Sequence, residues 1–510
     1  MLFQNRLLII LFFLSNFYLN SEAQFSFSTS SVKTNNNGTY PVRLLTDINT
    51  NQQLSQYGGN LNVKTTPTGF FHTKLINDCW YIVDPDGYLF FSVGVCSVVK
   101  GGGIDLPKSL RDIGTNTLGC WSDETINTST TNKMAYTPRW NFMQSYKNTS
   151  ARAKALYNAG IIPVFDPEYI TFCDTHAKQL IAAKNDPYIL GHFSDNELTI
   201  YDNTTFGNLI DRFLGISDKT DPNYLAAYDW IVARQGPNYS ISSTDRELFH
   251  GYLLGTYYRI TGEAIKRYDP NHMYLGSRLH GAAKDKPSIF IEGGKYVDMI
   301  SINVYGTWVP TTADMNRWSA GSAPFFVSEF YTKAVDSGMP NTDGAGWLVA
   351  TQTDRAKFHE NFTLALIEHP GCVGFHHFKY IDDDGANKGL VSLDFVWYDT
   401  FKASFNKIGN NVYALREFLT GKSTSIKNTN QNLSMQVFPN PSKGQFIIDS
   451  SDKTHSMAVE IYSSLGIKIQ QTSNIYPPYS INLQKYPVGI YFINATQGDN
   501  LMKEQIIKSN

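Results

Sequence analysis

Ile189-Leu190-Gly191-His192-Phe193-Ser194-Asp195-Asn196-Glu197-Leu198 decides the reading of this chain. A short apolar run ends in an Asn-Glu pair. That is the pattern of a buried parallel strand delivering polar side chains at its C-terminal edge. A second run, Pro324-Phe325-Phe326-Val327-Ser328-Glu329-Phe330, ends in another Glu.

Working outward, strand-like runs recur at 89–95, 115–121, 161–165, 189–193, 273–278, 299–304, 325–329 and 373–378. Helix-like stretches alternate with them. Residues 150–159 stop at Gly160, a C-cap residue, and 175–184 stop before Asp186-Pro187. Residues 245–268 precede Pro270, and 353–368 precede Pro370-Gly371. Eight strands alternating with helices predict an α/β fold, a (β/α)8 TIM barrel over residues 69–419. Gly101-Gly102-Gly103 follows the first strand without GxGxxG spacing, so it reads as a loop and not as a dinucleotide turn. The long connection 199–244 is expected to wall one side of a cleft. Ahead of the alternation, residues 24–68 are polar and read as an irregular extension, followed by a hairpin at 70–83 and a turn at Asp84-Pro85-Asp86-Gly87.

Past residue 419 the alternation stops. Residues 420–434 are rich in Ser, Thr, Asn and Lys and read as a linker. Residues 435–510 hold seven short strand-like runs separated by turns, which predicts a small all-β C-terminal sandwich without chemistry of its own. At the other end Arg6, the apolar run 7–13 and Ser21-Glu22-Ala23 read as a signal peptide over residues 1–23, too short to anchor the chain across a bilayer.

Bulk composition excludes several classes. With 510 residues, 42% hydrophobic and 17% charged, the chain is globular, and a net charge of -2 offers nothing to nucleic acid. The five cysteines are scattered and form no CxxC pair; three sit in or beside apolar runs and read as core residues, and export leaves one disulfide open. His376 and His377 are adjacent on a strand and point to opposite faces, so they do not share an ion. No metal and no cofactor is expected.

If strands four and seven bring Glu197 and Glu329 together, two carboxylates flank one cleft, as glycoside hydrolysis requires. Glu329 or Glu197 then attacks the anomeric carbon while the other acts as acid and base. Asn196 is placed to bond the hydroxyl beside the anomeric centre. Other strand-end groups are expected to contact substrate: Arg278, His280, Asn303, Tyr305, His376 and Lys379, with Glu168 as a substrate contact or a solvent-facing loop residue and Trp308 as a sugar platform or a core residue.

These residues resemble the glycoside hydrolase clan with an Asn-Glu acid/base on strand four and a Glu nucleophile on strand seven. More closely, residues 68–418 resemble the β-agarases of glycoside hydrolase family 50. The similar pieces are Trp80-Tyr81-Ile82-Val83-Asp84-Pro85-Asp86-Gly87, Phe90-Phe91-Ser92-Val93-Gly94, Gly191-His192-Phe193-Ser194-Asp195-Asn196-Glu197, Ser328-Glu329-Phe330 and Gly374-Phe375-His376-His377-Phe378. The resemblance implies Glu197 as acid/base, Glu329 as nucleophile, and agarose or agaro-oligosaccharides cut at β-1,4 bonds. The departures are Tyr331 where the family commonly has His, and His377 where it often has Trp. They leave a β-galactosidase, a porphyranase or a non-catalytic glycan-binding surface protein as the alternatives. The C-terminal segment is similar to type IX secretion sorting domains in Val437-Phe438-Pro439-Asn440-Pro441-Ser442-Lys443-Gly444, in Val459-Glu460-Ile461-Tyr462-Ser463-Ser464-Leu465-Gly466 and in Pro487-Val488-Gly489-Ile490-Tyr491. That implies the type IX machinery as a partner and a secreted or cell-surface protein.

Overall fold

The computed structural model describes residues 25–47, 52–128, 131–383, 385–421, 435–464, 467–497 and 500–509. The expected signal peptide and nearly all of the expected linker lie outside the described residues. The chain divides into two compact units, Met1–Ser425 and Ile426–Asn510.

The first unit is mixed α/β. Its central strands are β1 (Ser92–Val95), β2 (Thr117–Leu118), β3 (Ala135–Tyr136), β4 (Gly191–His192), β5 (Met273–Tyr274), β6 (Ile300–Asn303), β7 (Phe325–Glu329) and β8 (Cys372–His377). Six form one parallel sheet in the order β6-β7-β8-β1-β2-β3, and β4 pairs in parallel with β5. Single parallel bridges continue the pairing. Tyr136 meets Ile189, Arg139 meets Phe193, and Leu279 meets Ile302. The strands read as continuous apolar runs because both of their faces are buried.

One expected strand is corrected. Residues 161–164 are buried and Phe165 half-buried, but they pass through a turn, with the Val164 N–H on the Ile162 carbonyl. The third position belongs to Ala135–Tyr136 instead. Ile161, Ile162 and Val164 are apolar because they pack in the core, not because they pair. Periodicity does not separate these two causes in a short run.

Helix ends follow the side chains. Helix α1 (Ser243–Tyr268) begins at a capping box in which Ser242 and Asp245 each satisfy the other's backbone N–H. Helix α2 (Gln352–Glu368) starts at Thr351, whose hydroxyl accepts the Asp354 N–H. The helix expected at 175–184 lies earlier, at Pro167–Ala177, with a 3-10 turn at Lys178–Ala182. Asp166-Pro167 supplies its start, as Pro is tolerated in a first turn.

The extension is more regular than its composition suggests. Ser26–Lys33 and Thr39–Asp47 form an antiparallel hairpin turned at Asn37 (φ +64°) and Gly38. It lies on α2, where the Arg43 N–H bonds the Asn361 side chain at 2.8 Å and the Leu45 N–H bonds Glu360 at 3.2 Å. Ser and Thr fill its outward positions, so the strands read as loop. A four-stranded antiparallel sheet follows, with His72–Ile76 and Cys79–Val83 joined by Asn77 and Asp78, both at positive φ as a tight hairpin requires.

Beneath β4 and β5 sits a buried polar knot. Asp269 accepts from His192 Nε2 and from His272 Nδ1, each at 2.7 Å. His192 Nδ1 accepts from Trp140 at 3.0 Å, and His272 Nε2 meets the Asp186 carbonyl at 2.8 Å. Burial alone would raise the Asp269 carboxyl. The imidazole hydrogen bonds and charges win and hold it well below the usual carboxylate range. A depressed acid stabilises the fold above its unfolded value near ~3.9 and loses that contribution as pH falls through its folded value. Asp269→Ala is therefore expected to cost about 3–5 kcal/mol near neutral pH. The deficit should shrink only below about pH 4. Urea unfolding of the first unit at pH 7 and pH 3 checks it; a deficit under about 1 kcal/mol at pH 7 would contradict it.

Among the described residues the second unit has seven strands in two antiparallel sheets, one of three strands and one of four. Phe446, Ile448, Ile481, Val459, Ile461, Ile493 and Ile506 fill one core. Outward residues alternate with these along Gln445–Ser450, Met457–Ser463 and Gly489–Gln497, as a sandwich requires.

Candidate active site

Glu329 is the last residue of β7 and is 5% exposed. Three donors surround its carboxylate. Arg278 Nη2 lies 2.7 Å from Oε1, Trp121 Nε1 lies 3.4 Å from the same oxygen, and the Tyr305 hydroxyl donates to Oε2. Glu197 follows β4, its backbone N–H held by the Ser277 carbonyl at 3.0 Å. Its Oε1 accepts from Asn303 Nδ2 at 2.7 Å, and His280 Nδ1 stands 4.0 Å from Oε2.

Two links tie the carboxylates together. Asn303 is the register partner of Glu329, bonds Glu197, and accepts the Ser328 hydroxyl at 2.7 Å. Arg278 runs the other way. It reaches Glu329 and the Ser328 carbonyl (3.0 Å) with Nη2, and the Asn196 carbonyl oxygen (3.0 Å) with Nη1. Each Glu is thus coupled to the neighbour of the other. Arg278 is fully buried, over the Phe193 ring and beside Cys96. Burial opposes its charge, yet its surroundings, Glu329 among them, hold its pKa above the ordinary value. Burial and then the Glu329 charge push the Tyr305 phenol far up, so it donates. Burial likewise raises the Cys96 and Cys120 thiols, which stay neutral beneath Arg278. All five cysteines are buried and free.

Glu197 (φ +52°), Arg278 (φ +54°) and Trp121 (φ +71°) all adopt left-handed backbone conformations. Each costs about 1–3 kcal/mol in a residue with a Cβ, and such strain collects where side-chain aim matters more than stability. Behind Glu197, the fully buried Asp195 anchors the turn. Burial pushes its carboxyl up to about 6, although Tyr257 at 2.5 Å and the Met143 and Gln144 N–H groups donate to it.

The expected contacts sort into two sets. Asn196, Arg278, His280, Asn303 and Tyr305 lie with the two glutamates. Lys379 follows β8 and pairs with Asp383 at 3.7 Å. The others are placed elsewhere. His376 is fully buried inside the strands, 2.8 Å from the Ser92 hydroxyl, and burial plus the Arg278 charge push it down to about 3. It is interior packing, not a substrate contact. Trp308 is 6% exposed, stacks on Tyr40 and donates to the Pro41 carbonyl, so the N-terminal hairpin covers the proposed platform. Glu168 sits exposed in the first turn of Pro167–Ala177, following no strand once 161–165 is reassigned. Trp121 was missed; it lies three residues past β2 and carries the signal of an aromatic at a strand end.

Among the described residues, His192, Asp269 and His272 offer ligand atoms within 4.8 Å of one another. Every ring nitrogen in that group already has a protein partner, so it reads as a hydrogen-bonded knot.

Residues 436–509 match the family described as the secretion system C-terminal sorting domain. That domain marks a protein secreted or held at the cell surface by type IX secretion. No helix of the described residues is long and apolar enough to cross a membrane. The solved structure of BpGH50 superimposes with a TM-score of 0.69 at 28% identity, covering 79% of this chain and 98% of that one. This chain is similar to that structure and carries a sorting domain. Beta-agarase B of Vibrio sp. (strain JT0107) is 26% identical over 348 residues, 60% of this chain and 36% of its own length. Beta-agarase A of the same strain is 26% identical over 344 residues, 56% of this chain and 33% of its own. The family 50-like chain thus spans about a third of the length of these relatives. An exo-beta-agarase structure shares the fold, with a TM-score of 0.61 at 18% identity over 71% of this chain and 68% of that one.

Proposed function

We propose that the family 50-like chain hydrolyses the β-1,4-galactosidic bonds of agarose or agaro-oligosaccharides with retention of configuration. The parallel pairings support closure of β1 to β8 into a (β/α)8 barrel, with the site at its C-terminal face. The catalytic domain is residues 69–419, tethered by 420–434 to a sorting domain at 435–510, and the exported chain meets its polysaccharide outside the cell.

One observation carries the assignment of roles. Glu329 is nearly buried and faced by Arg278, Tyr305 and Trp121, all donors, which suits a carboxylate that must stay ionised to attack. Glu197 is more open, with its side chain 30% exposed and the Asn303 amide on one oxygen, which suits a group that exchanges protons with solvent. In the first step Glu329 forms a bond to the anomeric carbon as the bond to the leaving oxygen breaks, and Glu197 gives that oxygen its proton. In the second, Glu197 takes a proton from water, whose oxygen displaces Glu329. The spacing for this route is about 5 Å between carboxyls. Asn196 is held by Arg278 through its carbonyl oxygen, leaving its amide nitrogen to donate to the neighbouring sugar hydroxyl.

Incubating the full chain with agarose, porphyran, carrageenan and a simple β-galactoside tests the substrate. Release of even-numbered agaro-oligosaccharides supports the reading. Turnover of porphyran or carrageenan alone would replace agarose, and turnover of none would overturn the assignment.

A further inference from the structure

Trp121 stands apart from the other tryptophans of the first unit. Most tryptophans in the first unit are half-buried or buried, whereas Trp121 is 44% exposed. It sits two residues after Gly119 in a turn closed by the Ser122 N–H on the Gly119 carbonyl, at a positive φ where Gly or Asn is the ordinary choice. A bulky indole there is sterically disfavoured, and no burial compensates for it. Its two ends are nevertheless fixed. The Nε1–H points at Glu329 Oε1, and the Arg139 guanidinium lies 3.4 Å from the ring centroid. One edge touches the carboxylate, one face is covered by a cation, and the exposed area is what remains.

The strand that would otherwise offer an aromatic does not. His377 of β8 is 1% exposed, bonded to the Lys388 carbonyl at 2.9 Å and packed against Phe330, Phe401 and Phe405. Phe378 follows it half-buried, its ring near Tyr331.

We propose that the open face of Trp121 is the platform for the galactosyl ring whose bond is cut, and that it sets the preference for galacto-configured sugar. This rests on the functional reading above. A nucleophile displacing an equatorial β-linkage attacks from the ring face opposite the leaving oxygen. In galactose the axial hydroxyl at carbon four stands away from that face, which is left as a run of C–H bonds. Trp121 shares that side with Glu329, so the apolar sugar face meets the indole while Glu329 meets the anomeric carbon. Arg139 beneath the ring holds it in place by a cation–π contact. The Nε1–H gives Trp121 a second, positioning role on Glu329.

The test is kinetic, in the full chain, on agarose-derived oligosaccharides with cellotetraose as the gluco-configured control. Trp121→Ala is expected to lower kcat/KM by roughly tenfold or more, chiefly by raising KM. Trp121→Phe keeps a ring face and loses the N–H. It should return KM to within about threefold of the unmutated value while kcat stays reduced. Circular dichroism of each variant controls for folding. An unchanged KM in Trp121→Ala alongside a raised KM in Phe378→Ala would place the platform on Phe378 and overturn the proposal, with the agarase reading intact. No turnover of any galactoside by the unmutated chain would overturn both.

Discussion

Glu329→Gln is expected to lower kcat on agaro-oligosaccharides by roughly 10⁴-fold or more, with the fold intact. The amide cannot form the glycosyl bond, but it is isosteric: its oxygen still accepts from Arg278 and Trp121, and its NH2 takes the place of the oxygen that met the Tyr305 hydroxyl. Glu197→Gln should behave differently. On the natural linkage it removes general acid–base catalysis, a loss of roughly 10²–10⁴. With an aryl β-galactoside whose leaving group needs no proton, the first step should persist. Added azide should then restore turnover by attacking the glycosyl-enzyme without help from a base. Neither treatment should rescue Glu329→Gln. Steady-state rates with and without azide separate the two roles. Rescue of the Glu329 variant in place of the Glu197 variant would reverse the assignment.

Arg278→Met is expected to have the second-largest effect, on stability as well as rate. Arg278 is completely buried and joins Glu329, the Ser328 carbonyl and Asn196. Removing one partner of a buried pair leaves the other charge uncompensated and costs about 3–5 kcal/mol. Misplacing Glu329 and Asn196 together should also lower kcat/KM by roughly 10²-fold. Arg278→Lys should recover little, because an ammonium does not reproduce the fork that spans both partners. Urea unfolding and kcat/KM measured on the same preparations check this. A Met variant within tenfold of the unmutated rate and about 1 kcal/mol of its stability would contradict the account.

Much of this site was legible before any coordinates, for a physical reason. A buried strand that ends in a charged or amide group marks its own C-terminal edge. That signal picked out Asn196, Glu197, Arg278, Asn303, Tyr305 and Glu329 together. It failed where apolar character had another cause. Residues 161–165 are apolar because they pack in or against the core, and the two-residue pairing at Ala135–Tyr136 is too short to carry a pattern. It failed at His376 because residues alternate along β8, and this one points inward to Ser92. Trp308 could be platform or core in the sequence, because the hairpin that buries it is built from Ser and Thr and does not read as structure. Trp121 escaped notice because its exposure and its left-handed backbone are invisible in sequence. The strands of the second unit were readable one by one, since turn residues separate them and several alternate in burial.

The most direct test of the central claim is the anomeric configuration of the first product. Proton NMR of the full chain acting on an agaro-oligosaccharide, recorded before mutarotation, should show the β-anomer of the new reducing end first, with the α-anomer growing in later. Glu197 and Glu329 acting by double displacement require that order. Initial release of the α-anomer would mean that water, not Glu329, attacks the sugar, and would contradict the account.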